Sequence, residues 1–341
     1  MAQLNTQLLD DSTESVEKAA HIIKTGGVVA VPTETVYGLA ADASNASAVN
    51  RIFEAKGRPN DHPLIIHVHS LEQAQQLAID VPVYFQLLAD AFWPGPLTML
   101  LKKSAQVLDS VTGQLPSVGI RMPNHRLLQA VLTKGDFFVA APSANPHKQL
   151  SPTTAKQVFN ELYGKIDAVL DGGPCAVGLE STIIDLSQLD SVNRNNSVPK
   201  VLRAGPITAQ QISAVLGINV KKYQTHDHQV PGNIEQHYQP KGTLKIVSSQ
   251  QLLESLSAWP ENSACLWFSN DVGKALAMAG EKSLINSVFR RISESKAEYA
   301  QALYNSLYQL DQQGFSTIYV ERPPSSEQWS DVNDRLARAS A

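Results

Sequence analysis

The sequence predicts an α/β fold in two parts, an N-terminal domain built on one large sheet and a small C-terminal parallel-sheet domain. Three observations carry this expectation. Short apolar runs alternate with amphipathic stretches through the first 220 of 341 residues. Residues 221–242 then turn polar, rich in His, Gln and Lys and broken by Pro231-Gly232 and Pro240, which is the composition of a linker. Strand and helix patterns resume over 243–341. The expected parts are therefore 1–220, a linker at 221–242, and 243–341.

The first helix is capped by Ser12 or Thr13, presents Val16, Ala19, Ala20 and Ile23 on one face, and stops at Gly26-Gly27. Val28 to Val31 reads as a buried strand ended by Pro32. A helix over Ala48 to Ala55 leads through the Lys56 loop to a short strand at Ile65 to Val68. Leu97 to Leu101, Val118 to Arg121, Phe138 to Ala141, Ala168 to Leu170, Thr182 to Leu186 and Val201 to Arg203 are strand-like. Helices are expected near His125 to Leu132, Thr153 to Tyr163 and Thr208 to Leu216. After the linker, strands at Leu244 to Val247 and Ala264 to Phe268 enclose a helix. A long helix from Ser293 to Gln313, a strand at Thr317 to Val320 and a helix near Asp331 to Ala339 complete the chain.

An apolar fraction of 43% with 18% charged residues describes an ordinary globular protein with a sizeable core. The net charge of −4 argues against a surface coated in phosphate-binding cations, yet permits one local basic cleft. Two distant cysteines, Cys175 and Cys265, form no disulfide framework or zinc set and suit a reducing compartment. Met-Ala-Gln-Leu-Asn at the start lacks the pattern of a signal peptide, and no apolar run approaches the roughly 20 residues of a membrane span. A cytoplasmic protein with no membrane association is expected.

Polar and cationic segments recur at strand ends, where open α/β sheets bind ligands. Lys56-Gly57-Arg58-Pro59-Asn60-Asp61-His62-Pro63-Leu64 places two permanent cations and a histidine on a stiffened loop suited to an anion. Pro32 to Leu39 crowds Thr33, Glu34, Thr35 and Tyr37 after the first strand, as either a site or a capped turn. Arg121 ends a strand within Ser117 to Pro123, and its guanidinium can pair with a carboxylate or with a neighbouring acid. Ala140 to Pro146 offers Ser143 and Asn145 among small residues that let a ligand approach the backbone. Gly172-Gly173-Pro174, Gly178 to Thr182, and Arg203 with Ala204-Gly205-Pro206 repeat the theme. Each segment alone is weak evidence; together they form a polar rim that folding does not require. No phosphate loop, dinucleotide fingerprint or nucleophile elbow is present.

Taken in order, these segments resemble the threonylcarbamoyl-AMP synthase (YrdC-like) family. The resemblance rests on Pro32 to Leu39, Lys56 to Leu64, Trp93 to Thr98, Gly119 to Pro123, Ser143 to Asn145, Asp171 to Asp185 and Leu202 to Pro206. Pro231-Gly232, His237 to Pro240 and Asp334-Arg335-Leu336 resemble the extra domain of the longer family form. Two departures stand out: Pro146-His147-Lys148 after Asn145, and Gln239 in the linker.

The resemblance implies a twisted mixed sheet with flanking helices around a cationic cavity. It implies synthesis of threonylcarbamoyl-AMP and pyrophosphate from L-threonine, bicarbonate and ATP, with Mg2+ on the triphosphate. Transferase proteins would pass the threonylcarbamoyl group to the adenosine 3′ of the anticodon in tRNA. By matching motif, Thr35, His67, Arg121, the Ala141 backbone and Ser181 would hold threonine, and Lys56 and Arg58 would be catalytic. Arg58, His62, Ser117, Ser143, Asn145, Ser151, Arg203 and Tyr238 would line the ATP site, with the linker as a lid. No dedicated metal ligands are expected from the protein. The carbamoyl-adenylate chemistry of hydrogenase maturation needs zinc-binding cysteine pairs that this chain lacks. A module binding double-stranded RNA in the cationic cavity is the alternative from another class. Net negative charge elsewhere limits its non-specific phosphate affinity, leaving at most a weak RNA contact.

Overall fold

Eleven strands of the N-terminal unit make one mixed sheet, and four strands of the C-terminal unit make a second, all-parallel one. The computed structural model describes residues 4–189, 198–222, 238–279 and 287–341. Its first unit comprises Met1–His147, Ser151–Ala176 and Glu180–Ile234; the second comprises Lys148–Leu150, Val177–Leu179 and Glu235–Ala341. Residues 223–237, most of the segment expected as linker and lid, lie outside the described residues.

The N-terminal unit opens with β1 (Gln7–Leu9), α1 (Thr13–Lys24), β2 (Val29–Val31) and β3 (Gly38–Asp42). Ser12 caps α1 by accepting from the Ser15 N–H, and Val16, Ala19, Ala20 and Ile23 form its buried face. Next come α2 (Ala46–Lys56), β4 (Ile65–His67), α3 (Leu71–Gln76), α4 (Val83–Phe92), β5 (Leu97–Lys102) and α5 (Asp109–Thr112). Asn45 caps α2, and Gly57 at φ 60° ends it in the left-handed conformation that turns the chain into the cationic loop. Then follow β6 (Ser117–Arg121), α6 (Arg126–Gly135), β7 (Val139–Ala140), α7 (Ala155–Leu162) and β8 (Ala168–Leu170). The unit closes with β9 (Thr182–Asp185), β10 (Lys200–Arg203), α8 (Ala209–Leu216) and β11 (Lys221–Lys222).

The sheet order is β1-β8-β2-β3-β7-β4-β6-β5-β9-β10-β11. The sheet is mixed, with parallel pairs such as β4 with β6 and antiparallel ones such as β5 with β6. Its central strands are apolar on both faces, with every residue of β2, β4 and β8 buried. The one polar residue among these is His67, at the end of β4.

The C-terminal unit contains β12 (Thr243–Val247), α9 (Ser249–Ser255), β13 (Ser263–Trp267), α10 (Asn270–Ala279) and β14 (Val288–Arg291). It continues with α11 (Lys296–Gln312), β15 (Thr317–Glu321) and α12 (Ser330–Ala339), and its sheet order is β12-β15-β13-β14. The helical face expected from Ala300, Leu303, Leu307 and Leu310 is buried, joined by Tyr299 and Tyr304. The short segments grouped with this unit pack closely. A Cβ on Gly178, which sits at φ +82°, would meet the Gln301 Cα at 2.5 Å. No described helix is long and apolar enough to cross a membrane.

Candidate active site

Parallel pairing of β4 with β6 sets His67 opposite Arg121, so the two side chains leave the same face of the sheet. Both are buried, at 3% and 4% exposure. Arg121 Nε donates to the Gly95 carbonyl at 3.2 Å and Nη1 donates to Thr35 Oγ1 at 3.0 Å. Arg121 Nη2 lies 2.7 Å from Glu34 Oε2 as an ion pair. That contact lacks hydrogen-bond alignment, so neither Nη2 nor either Glu34 oxygen has a hydrogen-bond partner. The Nδ1 of His67 also has none. Burial first, and the Arg121 charge second, push His67 down to about 3, so the imidazole is neutral near pH 7.

Thr33 decides how the Pro32–Leu39 segment is used. Its Oγ1 accepts from the N–H groups of Thr35 (3.0 Å) and Val36 (3.1 Å) and donates to the Val36 carbonyl (2.6 Å). The same hydroxyl is 2.8 Å from Thr35 Oγ1, which also accepts from Arg121, and Glu34 pairs with Arg121. The capped-turn reading of the segment holds for Thr33.

A second group lies across β5 and β9. Arg203 Nε and Nη2 donate to the Ser181 carbonyl at 3.0 and 2.8 Å, and Nη2 also reaches Ser181 Oγ at 3.0 Å. The same hydroxyl is 2.8 Å from Thr98 Oγ1. Gly205 permits this approach, because a Cβ there would stand 2.2 Å from the Thr182 nitrogen. The Ala141 N–H donates to the Ile65 carbonyl at 3.0 Å.

The third group gathers at the end of α2. Lys56 is 4% exposed, and its Nζ donates at 2.5 Å to the carbonyls of both Ser143 and Asn145. Burial first, then the Arg58 charge, holds its pKa well below the usual lysine value. Arg58 Nη2 donates to the Pro63 carbonyl at 3.0 Å, closing its own loop. His62 stands 5.7 Å from the His147 ring, and burial with the Arg58 charge lowers its pKa. Asn145 Nδ2 donates to the Pro146 carbonyl, and Ser151 Oγ donates to Glu180 Oε1 at 2.6 Å. Ser117 begins β6, half-buried, in register with Lys102.

Eight of the expected residues fall into three clusters of the N-terminal unit, Ser117 and Ser151 lie elsewhere in that unit, and Tyr238 belongs to the C-terminal unit. Thr35, His67 and Arg121 lie together; Ser181 joins Arg203; Lys56 joins Ser143 and Asn145. Tyr238 is 1% exposed, stacked on Tyr304 at 5.7 Å with the Arg335 guanidinium 5.3 Å over its ring. Among the described residues no three His, Cys, Asp or Glu side chains group as metal ligands. Glu34, within a segment expected to be either a site or a capped turn, and Thr98 carry no role among the expected site residues. The available signal for Glu34 was a carboxylate between threonines at the end of a buried strand, in a chain whose Arg121 needs a counter-ion. Cys175 is buried, and burial pushes its thiol up to about 12, away from the thiolate form.

Residues 21–205 match the family model described as telomere recombination, and residues 207–341 match that of the threonylcarbamoyl-AMP synthase C-terminal domain. The chain is 36% identical to the threonylcarbamoyl-AMP synthase of Pyrococcus abyssi, over 94% of this chain and 93% of that one. It is 34% identical to the Bacillus subtilis threonylcarbamoyl-AMP synthase, over 98% and 95% of the two chains. The crystal structure of P. abyssi Sua5 complexed with L-threonine superposes with a TM-score of 0.86 at 33% identity, covering 98% of this chain and 97% of that one. By matched models, near-complete alignment and shared fold, the chain belongs to the threonylcarbamoyl-AMP synthase family.

Proposed function

We propose that this protein forms threonylcarbamoyl-AMP and pyrophosphate from L-threonine, bicarbonate and magnesium-bound ATP, acting as a nucleotidyltransferase. Its product would supply transferase proteins that modify the adenosine 3′ of the anticodon in tRNA. The observation that carries this reading is the buried Arg121, whose Nη2 has no hydrogen-bond partner and stands beside Thr35 and the neutral His67. A guanidinium held by Gly95 and Thr35 on its other nitrogens is fixed in place, with Nη2 left to meet a substrate carboxylate.

The reactants are anions that repel one another, so the protein's task is positioning and charge neutralisation. Arg121 would take the threonine carboxylate, while Thr35 and His67 meet its hydroxyl and Ser181 and the Ala141 backbone bound the pocket. Arg58 and His62 would face the phosphates, with Ser117, Ser143, Asn145, Ser151 and Arg203 about the nucleotide. Lys56 acts in two ways: two of its protons hold the Ser143–Asn145 turn, and its third is available to a phosphate. Magnesium bound to the triphosphate oxygens would offset their charge.

The test is pyrophosphate release from ATP with bicarbonate and each of several amino acids. Release should require both bicarbonate and an amino acid. Threonine should be preferred over serine by a modest factor, since one methyl in a pocket is worth about 1–3 kcal/mol. Release that ignores threonine would refute the reading.

A further inference from the structure

Glu34 presents a charge problem that folding alone does not explain. Its side chain is 8% exposed, yet neither carboxylate oxygen accepts a hydrogen bond, and Arg121 Nη2 stands 2.7 Å away without the alignment to donate one. Buried carboxylates normally collect donors. The nearest groups offer little: Thr35 Oγ1 accepts from Arg121, and Thr33 Oγ1 is used by its own turn. His125, which feels the Glu34 charge, is itself held toward the neutral form by burial. The carboxylate thus has a cation beside it, Arg121, but accepts no aligned hydrogen bond.

Glu34 also changes what Arg121 can bind. Alone, a buried guanidinium would attract any carboxylate. Paired with Glu34 it is already neutralised, so a simple carboxylate would bring a net negative charge into a buried site. A zwitterion would not. An α-amino acid carries its nitrogen and its carboxylate carbon about 2.5 Å apart by standard bond lengths. That spacing is close to the 2.7 Å between Arg121 Nη2 and Glu34 Oε2.

We propose that Glu34 determines specificity by receiving the ammonium group of the amino acid whose carboxylate Arg121 binds. The site then takes an α-amino acid as its zwitterion and rejects carboxylates that lack the amine. This rests on the proposed function and names the form in which that substrate enters.

Titration calorimetry with L-threonine and with 2,3-dihydroxybutanoate of matching stereochemistry, a hydroxyl replacing the ammonium, tests it. The wild-type protein should bind threonine at least 100-fold more tightly. Glu34→Gln should weaken threonine at least 10-fold while leaving the hydroxy acid unchanged or tighter, and Glu34→Asp should retain part of the preference. Equal weakening of both ligands would mean that Glu34 merely holds Arg121, and would overturn the proposal. If neither variant folds, the wild-type ratio decides: a preference below 3-fold overturns it. A wild-type protein that binds neither ligand would instead sink the functional reading, and this inference with it.

Discussion

Arg121 and Glu34 form an ion pair with both side chains under a tenth exposed, 2.7 Å between Nη2 and Oε2. Deleting one partner of such a pair leaves the other charge buried. Arg121→Ala should therefore cost about 3–5 kcal/mol of stability, whereas exposed pairs such as Lys134–Glu17 should cost less than about 1 kcal/mol. Urea denaturation of the two alanine variants checks the contrast.

His67 should govern part of the acid stability. Its folded pKa lies near 3, below the ordinary value of 6.5. Between those values the unfolded chain binds a proton that the folded one does not. Stability from this group is therefore fully present above about pH 6.5 and falls by up to about 1.4 kcal/mol per pH unit on the way down to about 3. Denaturation midpoints measured from pH 7 to pH 4 should fall less steeply for His67→Gln.

Lys56 ties the end of α2 to the Ser143–Asn145 turn through two charge-assisted bonds. Such bonds are worth about 1.5–3 kcal/mol each. Lys56→Ala should lower turnover and raise the KM for ATP by roughly 10- to 150-fold on the strength of one of them, with threonine affinity changed less than about 3-fold. Steady-state kinetics in each substrate would separate the two effects.

Tyr238 is a packing residue of the C-terminal unit, stacked on Tyr304 and covered by Arg335, which is fully buried. Tyr238→Ala should destabilise that unit by about 3–5 kcal/mol, as for other buried aromatics. Tyr238→Phe should be milder, because the ring contacts persist. Thermal melts followed by near-ultraviolet dichroism would report the loss.

What the sequence made legible follows from local physics. Ser12 signals a helix start through its side chain, and the structure uses it as the cap of α1. The mixed sheet and the small parallel sheet were likewise anticipated. By contrast β3, Gly38-Leu39-Ala40-Ala41-Asp42, has no β-branched residue and is a strand because β2 and β7 flank it. The helix α4 begins just after Pro82, and its buried Tyr84, Phe85, Leu88 and Ala89 carry a helical period outside the expected elements. At the site, residue types at strand ends pointed to anion binding. The contact of Arg121 with Glu34 joins distant segments, and so does that of Lys56 with the Ser143 and Asn145 carbonyls. Only the tertiary fold supplies either one.

The fork of Arg121 should be what holds the amino acid. Titration of wild-type protein and of Arg121→Lys with L-threonine and, separately, with ATP asks this directly, since lysine keeps the charge but loses the planar pair of donors. Threonine affinity should fall at least 10-fold while ATP affinity changes less than 3-fold. Unchanged threonine binding, or equal losses for both ligands, would show that the carboxylate is gripped elsewhere.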